Sequence, residues 1–222
     1  MIEFGHSSHV GLRREHNEDT YYADAELGLW LVADGMGGAA RGEVASALAV
    51  EAIVAAIKAG IGMPDAFRRA GATVMASPAQ HAAAAPMGST LAALAVGAGH
   101  YAAAWIGDSR IYLWQDGRLS RVPCAPPPEG AEPSPPRNRA TQALGITPTL
   151  ELDAQPVTGP CTPGMQFLLC SDGLTEELDD ARIAATMART DLAAQECVEH
   201  LVLAALEAGG HDNVTAVLVR LK

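Results

Sequence analysis

Short apolar runs, each cut off by glycine or aspartate, recur along the chain. Gly28 to Ala33 ends at Asp34-Gly35 and reads as a buried strand stopped by a turn. Gly42 to Gly60 is rich in Ala, Val, Ile and Glu and has no proline, which predicts a long helix closed by Gly60. A second helix is expected from about Pro64, with proline in its first turn and Asp65 at the positive end of the helix dipole. Thr90 to Val96 and Tyr101 to Ile106 read as strands, the latter ending at Gly107-Asp108. Arg110 to Trp114 alternates. Asp116-Gly117 then separates it from Arg118 to Val122, as in a tight hairpin whose two central residues tolerate positive φ. Met165 to Cys170 is a further strand, ending at Ser171-Asp172-Gly173. Asp191 to Ala208 reads as a helix ended by Gly209-Gly210, and Val214 to Leu221 as an alternating strand that follows Asp212-Asn213. Strands gather toward both ends with helices between them, and no internal repeat interrupts the pattern. That order favours an α+β fold with antiparallel sheets over a parallel doubly wound sheet.

Composition narrows the class. A chain of 222 residues, 49% hydrophobic and 18% charged, is globular and long enough to bury a substantial core, which fits one domain over residues 1–222. Much of the apolar fraction is alanine, as closely packed helices require. The net charge of -11 offers no basic patch for a nucleic-acid backbone, so a nucleic-acid partner is not expected. No run approaches the about 18 to 20 apolar residues of a membrane span, and the first residues lack a basic segment followed by an apolar one. A cytoplasmic protein without a membrane partner is the expectation, and a monomer is assumed. Cys124, Cys161, Cys170 and Cys197 show no C-x-x-C spacing, so reduced thiols are expected, not zinc or disulfides. Seven of the 14 prolines fall between Pro123 and Pro136, which makes that stretch a loop, either a solvated linker or a wall beside a site.

The chemistry lies in the aspartates. Asp34-Gly35, Gly107-Asp108-Ser109 and Ser171-Asp172-Gly173 each close a predicted strand, Asp212 opens the last one, and Glu18-Asp19 sits early in the chain behind Arg14 and Asn17. Any one Asp-Gly pair is ordinary turn chemistry. As a set, carboxylates on strand ends with glycines beside them make an all-oxygen site for a hard cation such as Mg²⁺ or Mn²⁺.

These blocks also carry a resemblance. Arg14-Glu15-His16-Asn17-Glu18-Asp19, Asp34-Gly35-Met36-Gly37-Gly38, Gly88-Ser89-Thr90, Gly107-Asp108-Ser109-Arg110, Ser171-Asp172-Gly173-Leu174 and Asp212-Asn213-Val214-Thr215 occur in the order of the metal-dependent protein phosphatases of type 2C. From about Phe4 to Leu221 the chain resembles their compact bacterial form. The resemblance implies a four-layer α-β-β-α sandwich in one catalytic domain. It implies hydrolysis of phosphoserine and phosphothreonine by a metal-activated water, with two Mn²⁺ or Mg²⁺ ions and a third, weaker one. Asp34, Asp172 and Asp212 are then similar to ligands of the first ion, and Asp34 with the Gly35 carbonyl to ligands of the second. Asp108 with Asp172 is similar to the weaker third position. Glu18 and Asp19 look like groups that orient bound water, and Arg14 has the spacing of the phosphate-binding arginine. The implied partners are phosphorylated proteins and a bacterial Ser/Thr kinase that the enzyme opposes, and the short form resembles phosphatases that act in control of type VI secretion.

The physics agrees with that layout. A phosphate monoester dianion is repelled by bare carboxylates, so cations are needed to reverse the local sign and to activate water. An arginine adds a planar two-point clamp that lysine does not reproduce. Two departures stand out. Methionine at position 36 replaces the histidine of many eukaryotic members, so the leaving oxygen takes its proton from bound water or, alternatively, from His211 or His16. The proline-rich stretch 123–136 replaces most of a longer flap. A metal-deficient relative acting only as a binding module, or a two-metal nuclease, are the competing readings. The intact aspartate set opposes the first and the acidic charge the second.

Overall fold

The structure, a computed structural model, describes residues 1–37, 41–81, 85–122 and 142–222. The proline-rich stretch 123–136 and Gly38 lie outside the described residues.

Two antiparallel sheets form the body. The first contains β1 (Ile2–His9), β7 (Arg110–Gln115), β8 (Arg118–Arg121), β10 (Gln166–Cys170) and β11 (Val214–Leu221), in the order β1-β11-β10-β7-β8. The second contains β2 (Asp19–Asp24), β3 (Leu29–Met36), β5 (Leu91–Gly97), β6 (His100–Ile106) and β9 (Val157–Pro160) in the order β2-β3-β5-β6-β9, with β4 (Gly88–Ser89) paired to the end of β3. Helices α1 (Arg41–Lys58) and α2 (Met63–Ala76) pack on the second sheet. Helices α3 (Asp172–Thr175), α4 (Asp180–Met187) and α5 (Ala194–Ala208) pack on the first.

Strand alternation sorts the side chains into three cores. On β3, Leu29, Leu31 and Ala33 face α1 and α2, where Ala45, Ala49 and Ile53 meet Phe67 and Ala70. The residues between them, Trp30 and Val32, face the other sheet and pack with Phe167, Leu169, Val217 and Val219. Leu168, Cys170, Val214, Ala216 and Leu218 turn the opposite way, onto α5. The order is therefore α-β-β-α, as the resemblance implies. The alanines serve the helix pair, and they also thin the facing strands β5 and β6.

Several expectations need correction. β3 does not stop at Asp34-Gly35; it runs to Met36, because Gly35 pairs with Ser89 and Met36 with Gly88. β11 is buried along its whole length instead of alternating, since one face meets α5 and the other meets the second sheet. Helix α5 starts at Ala194, not Asp191: Asp191 is held by Arg189 in the preceding turn, and Glu196 accepts from the Ala193 N–H. Strands β1 and β2 and helix α4 lack a strong local pattern and are supplied by tertiary pairing. The hairpin turn is as expected, with Asp116 and Gly117 both at positive φ. Cys161, Cys170 and Cys197 are free thiols.

A buried tyrosine ties the first sheet to α4. Tyr112 is fully buried; its hydroxyl donates to Asp180 at the start of α4 (2.8 Å) and accepts from Arg110 (3.1 Å). Burial, with the Asp180 bond, pushes the phenol up to about 12. Tyr112→Phe should lower the melting temperature, by about 1 to 2 kcal/mol of stability for the two lost bonds. An unchanged thermal melt would mean that the phenol does not join β7 to α4.

Candidate active site

Both sheets deliver carboxylates at one end. Asp19 opens β2 and lies directly opposite Asp34 in the β2–β3 ladder. Asp108 sits in the turn between β6 and β7, Asp172 follows the end of β10, and Asp212 precedes β11. Two hydroxyl contacts stitch the sheet ends together. Ser171 donates to Asp19 Oδ2 (2.8 Å), and Thr90 hydrogen-bonds Ser109 through their hydroxyls (2.7 Å). Thr90 also accepts from the Asp34 N–H (3.0 Å), while its own N–H donates to the Asp34 carbonyl (2.8 Å). One threonine thus fixes the backbone of Asp34 and the loop of Asp108.

Glycines permit the close approach. A methyl group on Gly35 would collide with the Gly42 carbonyl at the start of α1, and one on Gly173 would collide with the Asn213 carbonyl beside Asp212. Asn213 is buried and acts as a post for the first loop. Its amide donates to the Val10 and His16 carbonyls (2.8 and 2.9 Å), and its oxygen accepts from the Glu18 N–H (2.8 Å). The Glu18 carboxylate accepts from the Gly42 N–H (3.1 Å).

Electrostatics identify these carboxylates as one group. Asp34 is held well above the ordinary carboxyl range, first by burial and then by repulsion from Asp19, Asp172, Asp108 and Asp212. Asp19 is raised by burial, against hydrogen bonds from Thr215 and Ser171, and Asp172 is raised by burial and by Asp108, Glu176 and Asp212. Arg14 pairs with Asp212 Oδ2 (2.5 Å), and its side chain stays 55% exposed. Asp212 Oδ1 accepts from the Asn213 N–H.

The set fits hard cations in its chemistry. Every donor is oxygen, and two buried carboxylate oxygens, Asp19 Oδ1 and Asp172 Oδ1, have no hydrogen-bond donor among the described residues. Among the described residues, however, no three acidic, histidine or cysteine side chains already converge as a finished cage.

Of the residues singled out from the sequence, Asp19, Asp34, Asp108, Asp172 and Asp212 sense one another's charge, and Arg14 joins them through Asp212. Glu18 and Gly35 meet through the Gly35 N–H and the Glu18 carbonyl (3.1 Å). His211 is engaged by Glu177, through both its N–H and Nδ1. Sequence reasoning did not assign roles to Thr90, Ser109, Ser171, Thr215 and Asn213. The signal was present: each hydroxyl or amide lies close to an acidic strand end, either in sequence or across a ladder.

Comparison with known proteins follows the same line. Residues 8–207 match the family described as protein phosphatase 2C. The serine/threonine protein phosphatase PstP of Mycobacterium tuberculosis is 33% identical over 239 residues, which cover 98% of this chain and 45% of that protein. The chain therefore spans about half the length of this relative. The crystal structure of the PstP catalytic domain in complex with two manganese ions superimposes with a TM-score of 0.80 at 29% identity, over 100% of this chain and 99% of that one. PppA, a key regulatory component of T6SS in Pseudomonas aeruginosa, gives 0.77 at 30% identity, over 99% and 97%. With family match, relative and shared sandwich all covering nearly the whole chain, the chain belongs to the protein phosphatase 2C family.

Proposed function

We propose that the chain is a serine/threonine protein phosphatase, one catalytic domain that hydrolyses phosphoserine and phosphothreonine in proteins with two Mn²⁺ or Mg²⁺ ions. The observation that carries this reading is the buried carboxylate group, drawn from both sheets, with two oxygens that no donor among the described residues satisfies. Asp34, Asp172 and Asp212 would hold one ion, Asp34 and the Gly35 carbonyl the other, and Asp108 with Asp172 a weaker third. When bound, such ions supply positive charge for the phosphate oxygens and lower the pKa of water to the range of a nucleophile.

The chain's own residues do the positioning. Thr90 fixes the backbone of Asp34, which sets where the carboxylate named for both ions starts from. Glu18 and Asp19 keep acceptor oxygens near the group to orient water, Glu18 braced on Gly42 and Asp19 on Ser171. Arg14, held against Asp212 and still half exposed, offers its remaining N–H groups to a phosphate. No nucleophilic side chain is required, and Met36 contributes no proton.

The proposed partners are phosphorylated proteins and a cognate bacterial Ser/Thr kinase, with the protein acting as a cytoplasmic monomer. The likeness to PppA makes the control of type VI secretion a setting to examine. No helix among the described residues is long and apolar enough to cross a membrane.

Three outcomes test the reading. Hydrolysis of p-nitrophenyl phosphate should vanish in EDTA and return with Mn²⁺, with Ca²⁺ a poor substitute because it prefers more ligands at longer distances. Full turnover after thorough metal stripping, or cleavage of single-stranded DNA in its place, would sink it. Arg14→Ala should weaken substrate binding by about 1.5 to 3 kcal/mol, the usual size of a hydrogen bond to a charged group, read as a raised KM; unchanged kinetics would assign Arg14 to Asp212 alone. Asp34→Asn should be nearly inactive yet folded. Its metal-free melting temperature should equal or exceed the parent's, because asparagine removes a carboxyl that is costly to ionise in that buried, acidic place. Near-parent turnover at saturating Mn²⁺ would overturn the assignment of Asp34.

A further inference from the structure

The loop that carries Arg14 presents a second cation that the proposed chemistry leaves unused. Arg13 is exposed, and among the described residues it has no hydrogen bond or ion pair. Its backbone is nonetheless fixed. Leu12 donates its N–H to the Gly210 carbonyl (2.7 Å), Asn213 grips the Val10 and His16 carbonyls, and the Asn17 amide donates to Ser8 (2.9 Å). The loop is therefore anchored on both sides of two neighbouring guanidinium groups, one tied to Asp212 and one with no partner among the described residues. Rigid mounts for exposed side chains are where recognition residues are expected.

Distance limits what the free group can read. Adjacent Cα atoms lie about 3.8 Å apart, and an extended peptide advances about 3.3 Å per residue. A substrate whose phosphate meets Arg14 thus brings its nearest neighbours along the chain within reach of Arg13. The rest of the protein disfavours an acidic substrate, with a net charge of -11 and Glu15 next in sequence. Salt screens that repulsion beyond about 8 to 10 Å, so a local cation decides preference at contact range.

We propose that Arg13 selects substrates with an aspartate or glutamate one or two residues from the phosphorylated residue, pairing with that carboxylate while Arg14 takes the phosphate. This rests on the phosphatase reading and adds a substrate class to it. The competing account is a solvated arginine that serves solubility only.

The test uses the full chain with Mn²⁺ and two phosphothreonine peptides that differ only in Asp or Ala beside the phosphothreonine. The acidic peptide should have the higher kcat/KM, by about two- to fivefold as for an exposed ion pair, mainly through KM. The preference should shrink at about 0.5 M NaCl, where such pairs are screened. Arg13→Ala should erase it, and Arg13→Glu should invert it toward a peptide with Lys at that place. Equal turnover of both peptides by the parent, or a preference that survives Arg13→Ala, would overturn the inference alone. Absence of p-nitrophenyl phosphate turnover by the parent with Mn²⁺ would instead overturn the phosphatase reading, and this inference with it.

Discussion

The architecture is organised around a repulsion. Five aspartates share one end of the sandwich, and Asp34 among them is buried enough that its charge is costly both to solvate and to place beside the others. Among the described residues Arg14 is the cation paired with the group, and it reaches only the edge, at Asp212. A fold keeps such an arrangement only if the backbone holds it from outside. Ladder pairing, the Thr90 and Ser171 hydroxyls and the Asn213 amide do that holding, and each ties a carboxylate-bearing strand end to another part of the chain.

The price of that order falls on stability, and the three cores offset it. The inter-sheet core packs Trp30, Phe167 and the β11 valines without polar partners, and the two helix–sheet cores seal the outer faces. Outside the site, buried polar ties such as Tyr112 with Asp180 join sheet to helix, and the Trp30 indole nitrogen is left without a partner among the described residues in the inter-sheet core. This division lets the sheets act as a stiff frame whose ends alone carry chemistry, the arrangement in which a carboxylate is held to a useful position.

Much of this was legible in the sequence, for definite reasons. Strands such as β3, β6 and β10 announce themselves as apolar runs because both their faces are covered. The acidic positions announce themselves because three apolar runs are each followed by an aspartate within two residues. What stayed hidden depends on distant partners. Gly35 and Met36 look like a turn until Gly88 and Ser89 are paired with them. β1, with histidines and serines along it, has no local strand pattern and is a strand because β11 offers it hydrogen bonds from Leu221 to Val214. The roles of Thr90 and Asn213 are likewise contacts across the fold, invisible to local propensity.

That pairing of β1 with β11 bears on how the protein comes to exist. Ser8 and Thr215 touch through their hydroxyls although 207 residues separate them, and Asn17 leans on the same serine. A ribosome releasing the chain from its beginning exposes β1 and the acidic loop long before the strand that completes them. Contacts of such long range make folding slow and leave an unpaired strand edge open to other chains in the interval. The half-made protein has Asp34 but not Asp212, Arg14 but not its partner. A site that draws Asp34 from one part of the chain and Asp212 from another is thus complete only once β11 has paired.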